Sequence, residues 1–436
     1  MASTENAAAG FHSELNLFEQ PTYQTSLTDE FEWDTYPIAA LPANGNSSAP
    51  IEFTIRGGDN TFFDLNNSKL EVKLLVKKPN GDPTGATDVG PANLLLHSLF
   101  NSVEMEVGGK LVTDPNTIYP YRAFIETLVN IPAETMKTRM LCEGWTKDLQ
   151  GTLADPNPGQ TNTGLKTRAA TLQAKAQRVL IGRPHLDLFH QEKLIPPNVD
   201  IKLRFIPSKP EFVLIAKNED VAYKLQIISA RMFMRAKIVS PSLLLAHAQL
   251  LRETNYRIGY NKVSSKVVTI QSGVSNYEHD NLYMGTLPDQ IIMGLVPNAN
   301  MSGTYGTNPF DFKNAKITHL ALKVNGETVP RIPLHPDFAK SDYIREYVKV
   351  LEALNMDIGP FCWDLTPEEW ANGYTIWAFK ITPGPIGSVR SVPRTGTIRL
   401  EAKFGGATDA ILNLVLLSQK PAEIQFDQFK NVIVNE

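Results

Sequence analysis

The stretch Val103–Val112, VEMEVGGKLV, reads as two half-buried strands closed by a Gly-Gly turn. Val103, Met105 and Val107 alternate with Glu104 and Glu106, the period of a strand with one face inward. Gly108 and Gly109 supply the positive φ angles that a tight hairpin needs. Farther along, Leu320–Val329, LALKVNGETV, writes the same hairpin about Asn325 and Gly326. The flanks repeat as well. IEFTIRGGDN and KLEVKLLVKKPNG lead into the first copy, VVTIQSGVSNYEHDN and DQIIMGLVPNAN into the second, and Pro79 and Pro91 keep the spacing of Pro297 and Pro309. After each hairpin come a Pro-containing loop and a helical pattern. Its apolar face is Tyr121, Phe124, Ile125, Leu128 and Val129 in the first copy, and Tyr343, Ile344, Tyr347, Val348 and Leu351 in the second. VDIKLRFIPSKPEFVLI and TIRLEAKFGGATDAILNLVLL then each give an alternating strand, a turn and a more apolar strand. Elements repeated in one order mark a duplication of an all-β domain. About eight strand-like runs per copy is the number that closes a jelly roll.

The 436 residues suit two such domains, each large enough to bury a core without disulfides. Cys142 and Cys362 form no framework and are expected as buried, reduced thiols of a protein folded inside the cell. The opening MASTENAAAG has neither a basic segment nor an apolar run, so no leader is expected. No apolar stretch approaches the ~20 residues that span a bilayer. The expectation is a soluble protein made in the cytosol, with the glycosylation triplets at Asn46, Asn66 and Asn300 unused. Lys and Arg total 42 against 46 Asp and Glu, yet residues 1–50 hold seven acids and no Lys or Arg. That segment is the reverse of a nucleic-acid-binding arm. It is expected either as a solvated tail or as an extended arm that adds a strand to a partner, because FHSELNLFEQ and FEWDTYPIAAL alternate apolar residues with acids.

The organisation read from these patterns is an acidic arm over 1–49, a first jelly roll over 50–239, a linker helix over 240–254 and a second jelly roll over 255–436. In SPSLLLAHAQLLRE, Ser240 is a suitable N-cap and Pro241 a suitable first helical residue. Leu243, Leu244, His247, Leu250 and Leu251 would share the face laid against the rolls, with His247 a core histidine. The longest irregular stretch is Thr146–Gln177, expected as an outer surface loop. Its counterpart, MDIGPFCWDLTPEEWANGY, is aromatic instead.

Catalytic templates are absent: there is no phosphate-binding loop, dinucleotide fingerprint, nucleophile elbow or H-E-x-x-H. RPHLDLFH offers His185, Asp187 and His190 as the best metal candidate. A strand would set His190 opposite the other two, a helix would separate the histidines, and no third ligand is in sight. No catalytic, cofactor-binding or metal residue is therefore expected, and no cofactor. Trp145, Trp363, Trp370 and Trp377 leave open a carbohydrate-binding or adhesion β-sandwich. Against it, Trp377 in YTIWAFKI reads as core, and Trp363 and Trp370 read equally as protein anchors.

The ordered set SELNLFEQPTYQTSL, DLNNSKLEVKLLV, GPANLLLHSLFNSVEMEVGGKLV, YPYRAFIETLV, NPFDFKNAKITHLALKVNGETV and ANGYTIWAFKITP resembles the double jelly-roll major capsid protein of adintoviruses and Maverick/Polinton elements, from about Ser13 onward. The resemblance implies a homotrimeric, hexon-like capsomer tiling an icosahedral shell around double-stranded DNA. It also implies a virion location, neighbouring capsomers and penton and minor capsid proteins as partners, and no catalytic residues. The arm would then lie on an inner or lateral face.

Overall fold

Period-two patterning decides which strands pair, and the result is four antiparallel sheets in two matched pairs. In the computed structural model, residues 25–41, 49–82, 84, 88–114, 118–159, 161–172, 177–218, 220–357, 363–382 and 392–435 are described. One sheet of the first half runs β1 (Leu27–Thr35), β10 (Lys224–Val239), β3 (Thr61–Lys77), β7 (Arg178–Gly182). The sheet facing it runs β2 (Ile51–Ile55), β8 (Ile201–Pro207), β5 (Phe100–Val107), β6 (Lys110–Leu111). A short pair, β4 (Val89–Pro91) with β9 (Leu214–Ala216), stands apart. In the second half, β11 (Tyr256–Ile270), β18 (Leu412–Phe426), β13 (Gln290–Pro297) and β16 (Ile376–Lys380) form one sheet, with β19 (Val432–Asn435) also on β18. Its companion is β12 (Asn276–Thr286), β17 (Thr395–Phe404), β14 (Ile317–Val324), β15 (Glu327–Leu334).

Ranked along the chain without β4, β9 and β19, the strands of both halves have one spatial order: first-eighth-third-sixth in one sheet, second-seventh-fourth-fifth in the other. Two interlocked Greek keys of this order are a jelly roll, so the fold is a double jelly roll. Both hairpins of the opening argument are present, with Gly108 and Gly109 at φ 55° and 76°, and Asn325 and Gly326 at 52° and 91°.

The first roll takes its first strand from residues 27–35 of the segment read as an arm, so this part of it pairs within the chain. β1 pairs with β10 from Leu27↔Val239 to Thr35↔Met232. Glu32 faces Arg235 and Glu30 faces Lys237 across that ladder. Glu30 Oε1 lies 3.4 Å from Arg235 Nε, and Trp33 meets Phe63 edge-on at 6.1 Å. The acids that mark an arm locally are thus the complement of bases two hundred residues away. FHSELNLFEQ lies outside the described residues.

Burial follows the pattern where one face is wet. Leu70, Val72, Leu74 and Val76 point inward along β3, while the residues between them are only half-buried. β18 departs from it: Leu412–Ser418 are buried without alternation, and Leu417, Ser418 and Gln419 share a cavity with Arg122, Glu126 and Asp187 of the first roll. The helix Tyr119–Asn130 is also buried nearly all round. The helix Ile344–Leu354 is turned from expectation, burying Glu346, Val350 and Leu354 while Ile344 is 50% and Val348 40% exposed.

Two further expectations change. The linker helix is present as Pro241–Leu250, but none of its residues is buried, and Leu245 and Leu250 are exposed. From this helix His247 meets both rolls, edge-on to Phe62 at 6.2 Å and to Tyr256 at 5.5 Å, with Nδ1 buried and lacking a hydrogen-bond partner. It is an aromatic spacer and not a satisfied core histidine. Cys142 is exposed; Cys362 lies outside the described residues. No helix among the described residues is long and apolar enough to cross a membrane.

Candidate functional site

The seam between the rolls gathers the aromatic and charged residues that neither roll needs for its own sheets. Phe124, on the helix Tyr119–Asn130, stacks on Phe310 of the second roll with ring centroids 4.3 Å apart and planes 4° from parallel. Trp145, Phe312 and Tyr374 complete the cluster at 5.4, 5.9 and 6.5 Å from Phe124. Stacking at these distances adds to the burial of large apolar surface, and it joins two domains as a core joins two sheets.

Residues 146–159 and 161–172, within the stretch expected as an outer surface loop, hold a capped helix packed at the same seam. Asn162 caps the helix Thr163–Ala170, its Oδ1 accepting from the Gly164 and Leu165 amides. Arg168, buried on that helix, donates to Asp148 Oδ1 at 2.8 Å and to the Thr146 and Pro91 carbonyls. The Asp148 amide donates to the Tyr374 hydroxyl at 3.0 Å, and that hydroxyl donates back to the Asp148 carbonyl at 3.2 Å. Lys147 Nζ donates to Glu369 Oε2 at 2.9 Å. Sequence polarity misleads here because Arg168, Asp148 and Lys147 find partners inside the seam. Residues 160 and 173–176 lie outside the described residues.

Beneath the aromatic cluster lies a buried charge network around Arg122. Arg122 donates to Glu126 Oε1 at 2.8 Å and to Asp187 Oδ1 at 2.5 Å, and Asp187 Oδ1 also accepts the Val263 amide of β11 at 3.1 Å. The Asp187 carboxylate, held by Arg122, thus ties the first roll to a strand of the second. Glu126 Oε2 takes the His185 Nδ1 side at 2.8 Å and lies 3.6 Å from His190 Nε2. A second chain runs from the His185 amide to the Tyr119 hydroxyl at 3.2 Å and from that hydroxyl to His97 Nδ1 at 2.8 Å. His97 Nε2 pairs with Glu143 Oε2 at 2.9 Å.

Burial opposes charge on Glu126, but Arg122 and the histidines outweigh it and hold the carboxyl well below its ordinary range. The Glu143 carboxyl is lowered too, by its bond to His97 against the cost of burial. Burial wins at Asp187, which is raised, and at His97 and His190, which are lowered and favoured neutral. Glu126, Asp187 and His190 open onto a cavity of about 320 Å³ whose far wall is Gln290, Ser418 and Gln419 of the second roll.

The sequence placed His185 and His190 apart, but a 3₁₀ turn over Asp187–His190 brings their rings to 5.5 Å. Asp187 instead faces Arg122. Glu126, His97 and Glu143 were not singled out in the sequence. Their one local signal is an Arg–Glu pair at i, i+4 inside an otherwise apolar helix. All four candidate tryptophans are buried: Trp145 is 2%, Trp363 9%, Trp370 0% and Trp377 1% exposed. Trp370 meets Trp377 edge-on at 5.0 Å and donates Nε1–H to the Ile376 carbonyl. None of them presents the open aromatic platform that a glycan site requires.

The architecture that these elements define is that of double jelly-roll proteins. No protein-family model matches the chain. An uncharacterised protein of Caenorhabditis elegans is 22% identical over 358 residues, covering 77% of this chain and 81% of the relative. Among solved structures, a chain of the Sputnik virophage aligns with a TM-score of 0.62 at 11% identity, over 98% of this chain and 92% of its own. A chain of the PBCV-1 virus capsid gives 0.62 at 8% identity, over 96% and 98%. The mavirus major capsid protein gives 0.52 at 11% identity, over 100% and 95%. These likenesses span both rolls together with their mutual placement.

Proposed function

We propose that this protein is a major capsid protein, a structural and non-catalytic building block whose chains associate in threes into pseudo-hexagonal capsomers. Two equivalent rolls held side by side across a packed aromatic seam carry the reading. A cyclic trimer of such chains presents six similar lobes and can tile a surface with six neighbours. The solved structures of the same fold that name a capsid or a major capsid protein support it. The finer proposals follow the sequence resemblance. They are kinship with adintovirus and Maverick/Polinton capsid proteins, an icosahedral shell around double-stranded DNA, penton and minor capsid partners, and a virion location. The division into rolls is proposed to fall at the helix Pro241–Leu250. The experiment is light scattering on purified protein with negative-stain imaging of the same fractions. Three-chain particles of hexagonal outline, or closed shells, are expected. A stable monomer across salt and pH would overturn the proposal.

A further inference from the structure

Among the described residues, two groups of side chains could hold a metal ion: His97, Glu143 and His185, and Glu126, His185 and His190. The first is already spent. Both nitrogens of His97 are hydrogen-bonded, one to the Tyr119 hydroxyl and one to Glu143, deep in the core.

The second group differs in three respects. Its ligand atoms are spaced for coordination: a zinc tetrahedron with bonds of ~2.05 Å has edges of roughly 3.3 Å, and the Glu126 Oε2 separations of 2.8 Å to His185 Nδ1 and 3.6 Å to His190 Nε2 straddle that length. Its carboxylate is oriented from behind, because Arg122 Nε holds Glu126 Oε1 and leaves Oε2 for the ion. Outer partners of this kind fix a ligand's direction. Its open side faces the cavity, where Asp187 presents a second oxygen. Asp187 Oδ2 is buried with no hydrogen-bond partner, on a side chain 1% exposed. An orphaned carboxylate oxygen inside a polar cavity asks for a donor.

We propose that Glu126, His185 and His190 bind one divalent transition-metal ion of the zinc class at the seam, with its remaining position filled by water that donates to Asp187 Oδ2. Two imidazoles and a carboxylate are the donor set that such ions prefer over magnesium or calcium. The ion takes the place of the hydrogen now shared between Glu126 and His185. Its water faces Gln290 and Ser418 across the cavity, so the bound ion braces the first roll against the second. The site stands whether or not the chain assembles into shells.

The test uses tag-free, full-length protein stripped with chelator and titrated with zinc, and separately with cobalt. One zinc per chain should survive desalting and raise the melting temperature, and cobalt should give the intense visible bands of a tetrahedral N/O site. His190 is the least buried ligand, with 30% of its side chain exposed, so His190→Ala should fold normally and bind zinc at least about 30-fold more weakly. His185→Gln should do the same. His335→Ala is the control, because His319 and His335 form the competing pair, with ring centroids 4.9 Å apart. It should bind as the parent does. Absence of stoichiometric binding, unchanged affinity in His190→Ala, or loss in His335→Ala would each overturn the assignment.

Discussion

Replacing Phe124 by alanine tests whether the seam is a true core. The ring is 1% exposed and stacks on Phe310 at 4.3 Å, with Trp145 and Tyr374 as further neighbours. Burying a phenyl ring removes roughly 150–250 Å² from water, about 4–6 kcal/mol at ~25 cal/mol per Å². Alanine keeps a fraction of that and the neighbours relax partly, so a loss of about 4 kcal/mol is expected, within the ~3–5 kcal/mol range for buried Phe→Ala changes. The loss falls on both rolls, because Phe310 belongs to the other one. Guanidinium unfolding followed by circular dichroism and tryptophan fluorescence reads the effect. The parent should unfold in one transition because the seam couples the rolls, and the variant should show a lower midpoint and two separable steps. Phe310→Ala and the double variant complete a cycle with a coupling of about 1 kcal/mol. A loss below about 1 kcal/mol, or no coupling, would refute the account of the seam as a shared core.

The turn glycines should differ in sensitivity. A Cβ on Gly108 would sit 2.4 Å from Val432 Cγ2, whereas one on Gly109 would meet nothing within 4 Å. Gly109→Ala should therefore cost only the positive-φ penalty of about 1–2 kcal/mol, and Gly108→Ala measurably more in the same urea titration; equal costs would contradict the predicted contact. Removing residues 1–35 strips β1 from β10 and bares a long strand edge. Size-exclusion chromatography should show aggregation, and a monodisperse, equally stable product would contradict the β1–β10 ladder. Asp64 supplies a pH test. Burial raises its pKa, but the hydrogen bonds from Asn67 and Lys237 outweigh this, and Lys237 Nζ lies 2.9 Å away. With the folded pKa depressed, its stabilisation is complete above the unfolded value of ~3.9 and is lost as pH falls through the folded value. Asp64→Asn should lower the urea midpoint at pH 6 and lower it less at pH 3; a gap that widens in acid would reverse the sign. Arg122→Met leaves Glu126 and Asp187 as uncompensated buried carboxylates, and thermal unfolding should show a loss of about 3–5 kcal/mol.

Much of the fold was legible because it is written in short-range chemistry. Alternation in VEMEV and the Gly-Gly and Asn-Gly turns specify hairpins whatever surrounds them, and repetition of the whole order along the chain specifies two rolls. The sequence could not show which elements face the seam. β1 looked like a tail because Glu30 and Glu32 meet Arg235, a base that register pairing alone brings opposite. The helix Thr163–Ala170 was not legible within the stretch read as an outer loop, because Asn162, Arg168 and Asp148 are polar, and burial of polar groups depends on partners, not on their own hydropathy. Trp377 was legible as core from its alternating strand, while the burial of Trp363 and Trp370 was not, because exposure is a property of the packed molecule. His185, His190 and Glu126 meet only because one turn of 3₁₀ helix lies under a helix some sixty residues upstream. The sequence by itself determined strands, turns and duplication, since those depend on neighbours a few residues apart. Tertiary structure alone decided the seam, its charges and the candidate ion site, since these depend on contacts between residues that no local pattern connects.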